Sequence, residues 1–123
     1  MKNLTFDANA PTLYLDFDGT LHTGHALFGE RGEVVLDTGR PVMEFAPLLA
    51  KLLMPYPDVQ IVLATSWLRA MTHEEVISYL SPELRPRVVG STVGVVPTLS
   101  EVLNGSDRSR VILKHAWGHG LKT

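Results

Sequence analysis

Asp16 and Asp18, two carboxylates separated by one residue, have the type and spacing that suit a divalent cation and a phosphoryl group. Proteins usually hold Mg²⁺ with one or two carboxylates together with substrate phosphate oxygens and water. An aspartate can also attack phosphorus to form an aspartyl-phosphate, and a second aspartate can then protonate the leaving group and activate water. A bare pair of this kind is also common in turns that cap a strand, so the two residues alone leave a purely structural role open.

The stretch LYLDFDGTLH, residues 13–22, predicts how these carboxylates are positioned. An apolar run that ends in two acids and a glycine is typical of a buried parallel strand, and open α/β sheets bind ligands at the carboxyl ends of such strands. Because side chains alternate along a strand, we expect Asp16 and Asp18 to face the cleft while Phe17 points into the core. Gly19 allows the backbone to leave the strand in a sharp turn.

The composition is typical of one globular domain spanning residues 1–123, with 45% hydrophobic and 20% charged residues. A net charge of −2 provides no bulk attraction to nucleic acid or to anionic membranes. The absence of cysteine excludes disulfides and thiolate metal sites. The chain has no apolar run of membrane-spanning length, and residues 1–12 lack the hydrophobic core of a signal peptide, so we expect a cytoplasmic protein that does not bind membranes.

Strand and helix patterns alternate along the rest of the chain, which favours a mostly parallel α/β sheet with right-handed crossovers. The predicted order begins with a strand at 12–16, a β-hairpin at 26–28 and 34–36 that turns at 29–32, and a helix that has Pro47 in its first turn and ends near Met54. A strand at 59–64 follows, then a helix from His73 to about Leu80 after a Thr72/Glu75 capping box, and a short strand at 88–89 ended by Gly90. The chain continues with a helical turn closed by Asn104 and Gly105 and a last helix from Asp107 that ends at Gly118 and Gly120.

Thr65 and Ser66 follow the apolar strand at 59–64, at the same sheet edge as the two aspartates. A hydroxyl and backbone N–H groups at a strand end form a phosphate cradle. An ordinary Ser/Thr turn is the alternative interpretation of these two residues.

The string DFDGTL, placed after an apolar strand near the N-terminus, closely resembles motif I of the haloacid dehalogenase (HAD) superfamily, whose members are mostly phosphatases and phosphotransferases. VLATS resembles motif II, and the likeness covers roughly residues 12 to 116. The resemblance implies a Rossmann-like three-layer sandwich with a mostly parallel sheet, in which the hairpin at 26–36 is a short flap and no large cap domain is present.

The resemblance also implies roles for the site residues. Asp16 is the expected nucleophile and Asp18 the expected acid/base, and both are expected ligands of a Mg²⁺ cofactor. Thr65 and Ser66 are expected to bind the phosphate, with Gly19 contributing from the motif I turn.

Motif III of the superfamily supplies a cation that neutralises the phosphoryl oxygens, because charge stabilisation dominates phosphoryl transfer. Arg108, Arg110 and Lys114 on the last predicted helix are the candidates, and each is also compatible with a solvated surface charge. Arg108 and Arg110 both lie in the first turn of that helix, where a side chain can reach the sheet edge, and of the two Arg110 is preferred. We interpret His115 and His119 as frayed surface residues and not as metal ligands.

The sequence departs from the superfamily pattern at motif IV, an acidic pair that follows a further strand. No acidic residue follows Asp107, so the expected domain lacks the C-terminal strand that would pair with the strand at 12–16. Two explanations are compatible with the open edge left there: the sequence is a truncated product, or another chain covers the edge, which would make a homo-oligomer.

Three functions are therefore compatible with the sequence. The first is a Mg²⁺-dependent phosphohydrolase. The second is a catalytically incomplete HAD-fold module that binds phosphate or a protein partner, and the third is a HAD-type phosphotransferase or dehalogenase. The combination of DFDG, TSW and GSTVG is similar to small, nearly capless HAD domains, some of which occur beside RNA-repair modules. This likeness implies a phosphorylated small molecule, or a nucleotide or nucleic-acid phosphate end, as substrate.

Overall fold

The computed structural model describes residues 6–93 and 107–120, without the side chains of residues 107–110. The described elements, in chain order, are β1 (Thr12–Leu15), β2 (Ala26–Phe28), β3 (Val34–Leu36), α1 (Ala46–Leu53), β4 (Gln60–Leu63), a 3-10 helix (Ser66–Arg69), α2 (His73–Ser78), a second 3-10 helix (Arg85–Arg87), β5 (Val88–Ser91) and α3 (Asp107–Gly118).

A parallel three-stranded sheet in the order β1-β4-β5 carries the fold, as the α/β prediction requires. The central strand β4 is buried along its whole length, which explains its unbroken apolar run from Ile61 to Leu63. Thr12 pairs with Gln60 and Leu15 with Leu63, so β1 and β4 end side by side. Within the described residues β1 lies at one edge of this sheet. Self-association through that edge stays a prediction.

The predicted β-hairpin is confirmed. β2 and β3 pair antiparallel, with Phe28 opposite Val34, and Gly32 in the turn has a φ of 80° that favours glycine. Phe28 and Val34 lie on one face of the hairpin, and Leu27 and Val35 lie on the other, where both are exposed. The hairpin is a separate two-stranded sheet of the size expected for a flap.

The helices agree with their predicted start signals. Pro47 lies in the first turn of α1, where its missing N–H removes no intrahelical hydrogen bond. Thr72 and Glu75 form the predicted capping box at the start of α2, although α2 ends at Ser78, two residues before the predicted end at Leu80. None of the described helices is long and apolar enough to cross a membrane.

Two predictions about the second half of the chain need correction. Gly90 does not end the third parallel strand, because it pairs with Val62 and the strand continues to Ser91; an irregularity in register between Ile61 and Val62 accommodates this pairing. His115 is not a frayed surface residue, since it is only 3% exposed. The predicted helical turn that closes at residues 104–105 lies outside the described residues.

The hydrophobic core lies around the ends of β1 and β4 and includes the motif I and motif II segments. Phe17 and Trp67 are fully buried, and their rings meet edge to face with centroids 5.1 Å apart. Leu21, Val76, Leu80 and Leu84 belong to the same cluster. The chemistry-bearing loops are therefore packed directly onto the core, which restricts their motion.

Candidate functional site

The carboxyl ends of β1 and β4 bring the two halves of the candidate site together. Asp16 follows directly after Leu15, and Thr65 follows Ala64, whose N–H donates to the Leu15 carbonyl across 2.8 Å. The segments therefore leave the sheet side by side, because the parallel pairing continues to this point. This is the edge at which open α/β sheets bind ligands.

Burial along residues 16–18 alternates as the sequence predicts. Asp16 and Asp18 are half-buried, whereas Phe17 between them is completely buried. Oδ1 of Asp16 accepts a hydrogen bond of 2.8 Å from the backbone N–H of Phe17. Both carboxylates are thus close to the core and partly accessible to solvent.

A compact turn follows Asp18. The φ of Gly19 is 77°, a conformation that glycine adopts without steric cost. Its N–H donates to the carbonyl of His22, and the N–H groups of Thr20 and Leu21 donate to the carbonyl of Phe17. The N–H of Gly19 is therefore used within the turn, and a role for Gly19 in phosphate binding stays a prediction.

The Asp18 carboxylate receives two side-chain hydrogen bonds that the sequence analysis did not identify. The His22 Nε2 atom lies 2.8 Å from Asp18 Oδ1, and the Trp67 Nε1–H donates to the same oxygen across 3.0 Å. Burial by itself raises the pKa of Asp18, but these hydrogen bonds, one from the backbone of Ala26 and the attraction to His22 together lower that pKa below its ordinary value. The ionised carboxylate is therefore the favoured form.

The hydrogen bonds of His22 define which ring nitrogen carries the proton. The backbone N–H of Met43 donates to Nδ1 of His22 across 3.3 Å, so the neutral ring carries its hydrogen on Nε2 and donates it to Asp18. Met43 holds this position with a φ of 60°, an uncommon conformation for a residue with a side chain. The segment before α1 is thereby connected to the acid/base candidate.

Trp67 joins the flap, motif I and motif II. It lies in the 3-10 helix that follows β4, and its N–H donates to the hydroxyl of Thr65 across 3.2 Å, which caps that helix. Its ring is in edge contact with three other aromatic rings at centroid distances of 5.1 to 5.5 Å, those of Phe17, Tyr79 and Phe28. Phe28 belongs to the flap strand β2, so Trp67 connects the flap to both motifs.

Thr65 and Ser66 lie at the carboxyl end of β4, and phosphate binding by either residue stays a prediction. Thr65 is buried, and because its oxygen accepts from Trp67, its hydroxyl hydrogen remains available as a donor. Ser66 is exposed at the first position of the 3-10 helix. The alternative interpretation as a Ser/Thr turn is confirmed for Thr65, which caps the 3-10 helix, and this role leaves its hydroxyl hydrogen available for a ligand.

The motif III cation cannot be placed by side-chain contacts. The side chains of Arg108 and Arg110 lie outside the described part of the chain, although the backbone of both belongs to α3. Lys114 is half-buried one turn further along the helix. The preference for Arg110 stays a prediction.

The side chains that could ligate a metal ion determine whether a magnesium ion fits this site. Across residues 6–93 and 107–120 no three His, Asp or Glu side chains group closely enough to hold a metal ion. Oδ1 of Asp18 accepts from two side-chain N–H donors, and Oδ1 of Asp16 accepts from the backbone N–H of Phe17. Since Mg²⁺ needs only one or two carboxylates when substrate phosphate and water complete its shell, the residues fit a weakly held ion.

His115 belongs to a second aromatic cluster, between β1 and α3. Its Nδ1 atom lies 2.8 Å from the hydroxyl of Tyr14, and its ring stacks on that of His119 with centroids 4.0 Å apart. Burial lowers the pKa of His115, and the neighbouring His119 lowers it further. This cluster stabilises the docking of α3 and contributes no residue to the candidate site.

Comparison with known proteins agrees with this geometry. A family model described as the HAD domain in Swiss Army Knife RNA repair proteins matches residues 12–123, which includes β1 and both motifs. Neither the curated proteins nor the solved structures gave a match to the chain.

Proposed function

Because the chain belongs to the family of HAD domains found in Swiss Army Knife RNA repair proteins, we propose that it hydrolyses a phosphate monoester through an aspartyl-phosphate on Asp16. One observation carries the proposal above all. Asp16 and Thr65 follow two adjacent parallel strands at the same sheet edge. Asp18, two residues after the nucleophile, accepts a hydrogen bond from the indole of Trp67, whose backbone N–H donates to the hydroxyl of Thr65.

In the first step a carboxylate oxygen of Asp16 attacks phosphorus. The bond between phosphorus and the leaving oxygen breaks, and its electron pair stays on that oxygen, which takes a proton from Asp18 when Asp18 is protonated in the substrate complex. In the second step water attacks phosphorus while Asp18 accepts the water proton. The Asp16 carboxylate is restored and inorganic phosphate is released.

The phosphoryl oxygens need donors and positive charge during both steps. The hydroxyl of Thr65 and the backbone N–H of Ser66 would donate to them, and Arg110 would supply the cation. Asp16 and Asp18 would hold a magnesium ion. Bound Mg²⁺ would neutralise charge on the phosphoryl group.

The proposed substrate is a terminal phosphate, with the phosphorylated end of an RNA strand as the first choice and a phosphorylated small molecule as the second. The family description supports the RNA end. The net charge of −2 supports recognition of a strand end over binding along a phosphate backbone, because the chain offers no bulk attraction to a polyanion. Phe28, 40% exposed on the flap beside Trp67, provides an aromatic surface near the site.

Turnover of 4-methylumbelliferyl phosphate in the presence of Mg²⁺ tests the proposal. Asp16→Asn keeps the shape of the side chain but removes the attacking charge, so hydrolysis should fall to background. Asp58→Asn, in the exposed turn before β4, is the matched control and should retain wild-type turnover. An Asp16→Asn variant that remains as active as the wild type would contradict the proposal.

A phosphate-binding module without catalysis is the second candidate. The observation in its favour is that the described residues do not group three side chains that could ligate a metal ion. Such a module would bind phosphate or a phosphorylated RNA end in calorimetry but would release no phosphate on prolonged incubation.

A further inference from the structure

The turn after β1 and the 3-10 helix after β4 direct two buried N–H groups at one carboxylate oxygen. We propose that His22 and Trp67 are positioning residues that hold Oδ1 of Asp18 and thereby fix the orientation of the carboxylate that acts as acid/base. This inference rests on the proposed function, in which Asp18 is the acid/base. It assigns a role to two residues that do not touch the reacting phosphoryl group.

Oδ1 of Asp18 accepts hydrogen bonds from both side chains. A carboxylate oxygen has two lone pairs in the carboxylate plane, and Oδ1 accepts from His22 Nε2 at 2.8 Å and from Trp67 Nε1 at 3.0 Å. Both acceptor positions are therefore filled. The backbone N–H of Ala26 is a further donor to the same carboxylate, so its orientation is held by hydrogen bonds from three segments.

His22 and Trp67 both act only as donors toward Asp18. An indole N–H can only donate, and the ring of His22 donates through Nε2 because its Nδ1 accepts from the backbone N–H of Met43 at 3.3 Å. Neither side chain has a free lone pair facing Asp18, so neither competes with it as a base. Both orient the carboxylate and stabilise its negative charge.

Both donor side chains are buried. His22 is 1% exposed and Trp67 is fully buried. The tryptophan ring is restrained by edge contacts on several sides, at 5.1 Å to Phe17 and 5.2 Å to Tyr79. Because both donors are buried, and the Trp67 ring is packed against neighbouring rings, the carboxylate plane is set before a substrate arrives, which reduces the reorganisation that proton transfer requires.

Trp67 also connects this arrangement to the phosphate cradle. Its backbone N–H donates to the Thr65 hydroxyl at 3.2 Å while its side chain donates to Asp18. Trp67 therefore sets the distance between Asp18, the acid/base, and Thr65, the predicted phosphate donor. Displacing Trp67 should disturb proton transfer more than it disturbs substrate binding, since the Thr65 contact comes from the backbone and survives substitution of the ring.

A double-mutant cycle on the full chain tests the inference with 4-methylumbelliferyl phosphate. Trp67→Phe removes the Nε1–H but keeps an aromatic ring, and His22→Leu removes the Nε2–H. Each should lower kcat roughly ten- to a hundredfold, as expected for a lost hydrogen bond to a charged group, while KM changes by less than about threefold. His22→Gln, which keeps an N–H at a similar reach, should restore most of the loss.

The variant Asp18→Asn supplies the discriminating background. If Trp67 acts through Asp18, Trp67→Phe should lower kcat by less than about twofold once Asp18 is already Asn, because no proton transfer is left to position. Trp117→Phe and His25→Gln replace exposed residues of the same types and should stay within about twofold of wild type. Equal effects of Trp67→Phe in both backgrounds would overturn the inference.

A second readout is independent of turnover and covers the case in which His22→Leu does not fold. The indole N–H of Trp67 should give a ¹H–¹⁵N signal that exchanges slowly with water, and Asp18→Ala should shift that signal and speed its exchange while the Trp117 signal stays unchanged. An unchanged Trp67 signal in Asp18→Ala would overturn the inference. A wild-type chain without turnover would overturn the proposed function and this inference together, whereas an active chain with additive effects would overturn the inference alone.

Discussion

The indole Nε1–H of Trp67 donates to Oδ1 of Asp18 across 3.0 Å, although the two residues are 49 positions apart in the chain. This hydrogen bond joins the turn after β1 to the helix after β4. Both segments are packed on Phe17 in the core, so the geometry of the acid/base is determined by the same contacts that stabilise the fold.

Asp18→Asn should reduce turnover of an aryl phosphate by about 10²- to 10⁴-fold, the usual contribution of a general acid/base. A phenolate leaves with little acid assistance, so the first step should be less affected than hydrolysis of the intermediate, and phosphoenzyme should accumulate. Acid quenching with labelled substrate measures this accumulation. Loss of both turnover and labelling in Asp18→Asn, with the fold intact by circular dichroism, would contradict the assignment of Asp18 to the second step.

Thr65→Ala should weaken binding of phosphate or a metal-fluoride mimic by about 1 kcal/mol, since one neutral hydrogen-bond donor is lost. It should also lower the free energy of unfolding by about 1 kcal/mol, because the hydroxyl caps the 3-10 helix through the Trp67 N–H. Thr65→Ser keeps the hydroxyl and should preserve both quantities. Titration calorimetry and urea denaturation separate the two effects, and unchanged affinity in Thr65→Ala would remove Thr65 from the phosphate cradle.

Replacement of the three motif III candidates by alanine should identify the phosphate-binding cation. Arg110→Ala should weaken phosphate binding more than Thr65→Ala does, because a charge-assisted hydrogen bond is stronger than a neutral one. Arg108→Ala and Lys114→Ala are the matched comparisons on the same helix. If calorimetry shows the loss in one of these two and none in Arg110→Ala, the assignment moves to that residue.

The stability of the fold should depend on pH through His115. The folded-state pKa of His115 is lowered by burial and by His119, so below its ordinary value of about 6.5 the unfolded chain binds more protons than the folded chain. The free energy of unfolding should therefore be highest above pH 6.5 and should fall as the pH decreases from there. Urea denaturation at several pH values measures the slope. His115→Gln should flatten it, while the exposed His25→Gln should leave it unchanged; an equal slope in His115→Gln would assign the effect to other groups.

Local signals predicted most of the fold correctly. The hairpin at 26–28 and 34–36, the capping box of Thr72 and Glu75, and the position of Pro47 each depend on residues close in sequence, and the structure confirms all three. The continuous apolar run of β4 also predicted a central buried strand. Gly90 was misinterpreted because a glycine can end a strand or sit within one, and only pairing with Val62 decides between them.

The partners of Asp18 could not be predicted in the same way. The Trp67–Asp18 hydrogen bond joins segments 49 positions apart and leaves no periodicity in the sequence, and the His22–Asp18 bond depends on the shape of the turn at Gly19. The same holds for His115, whose partner Tyr14 is 101 positions away. The one available signal for Trp67 was its place directly after Thr65 and Ser66, at the strand end that faces Asp16.

Trapping the covalent intermediate tests the central claim most directly. An aspartyl-phosphate is stable in acid but is cleaved by hydroxylamine, and borohydride reduces it to homoserine, so peptide mass spectrometry can locate it. After quenching turnover of a phosphorylated RNA end or an aryl phosphate in acid, the modification should lie on Asp16, and Asp16→Asn should carry none. Substrate hydrolysis with the label on another residue, or with no labelled residue in either the wild type or Asp18→Asn, would contradict the account.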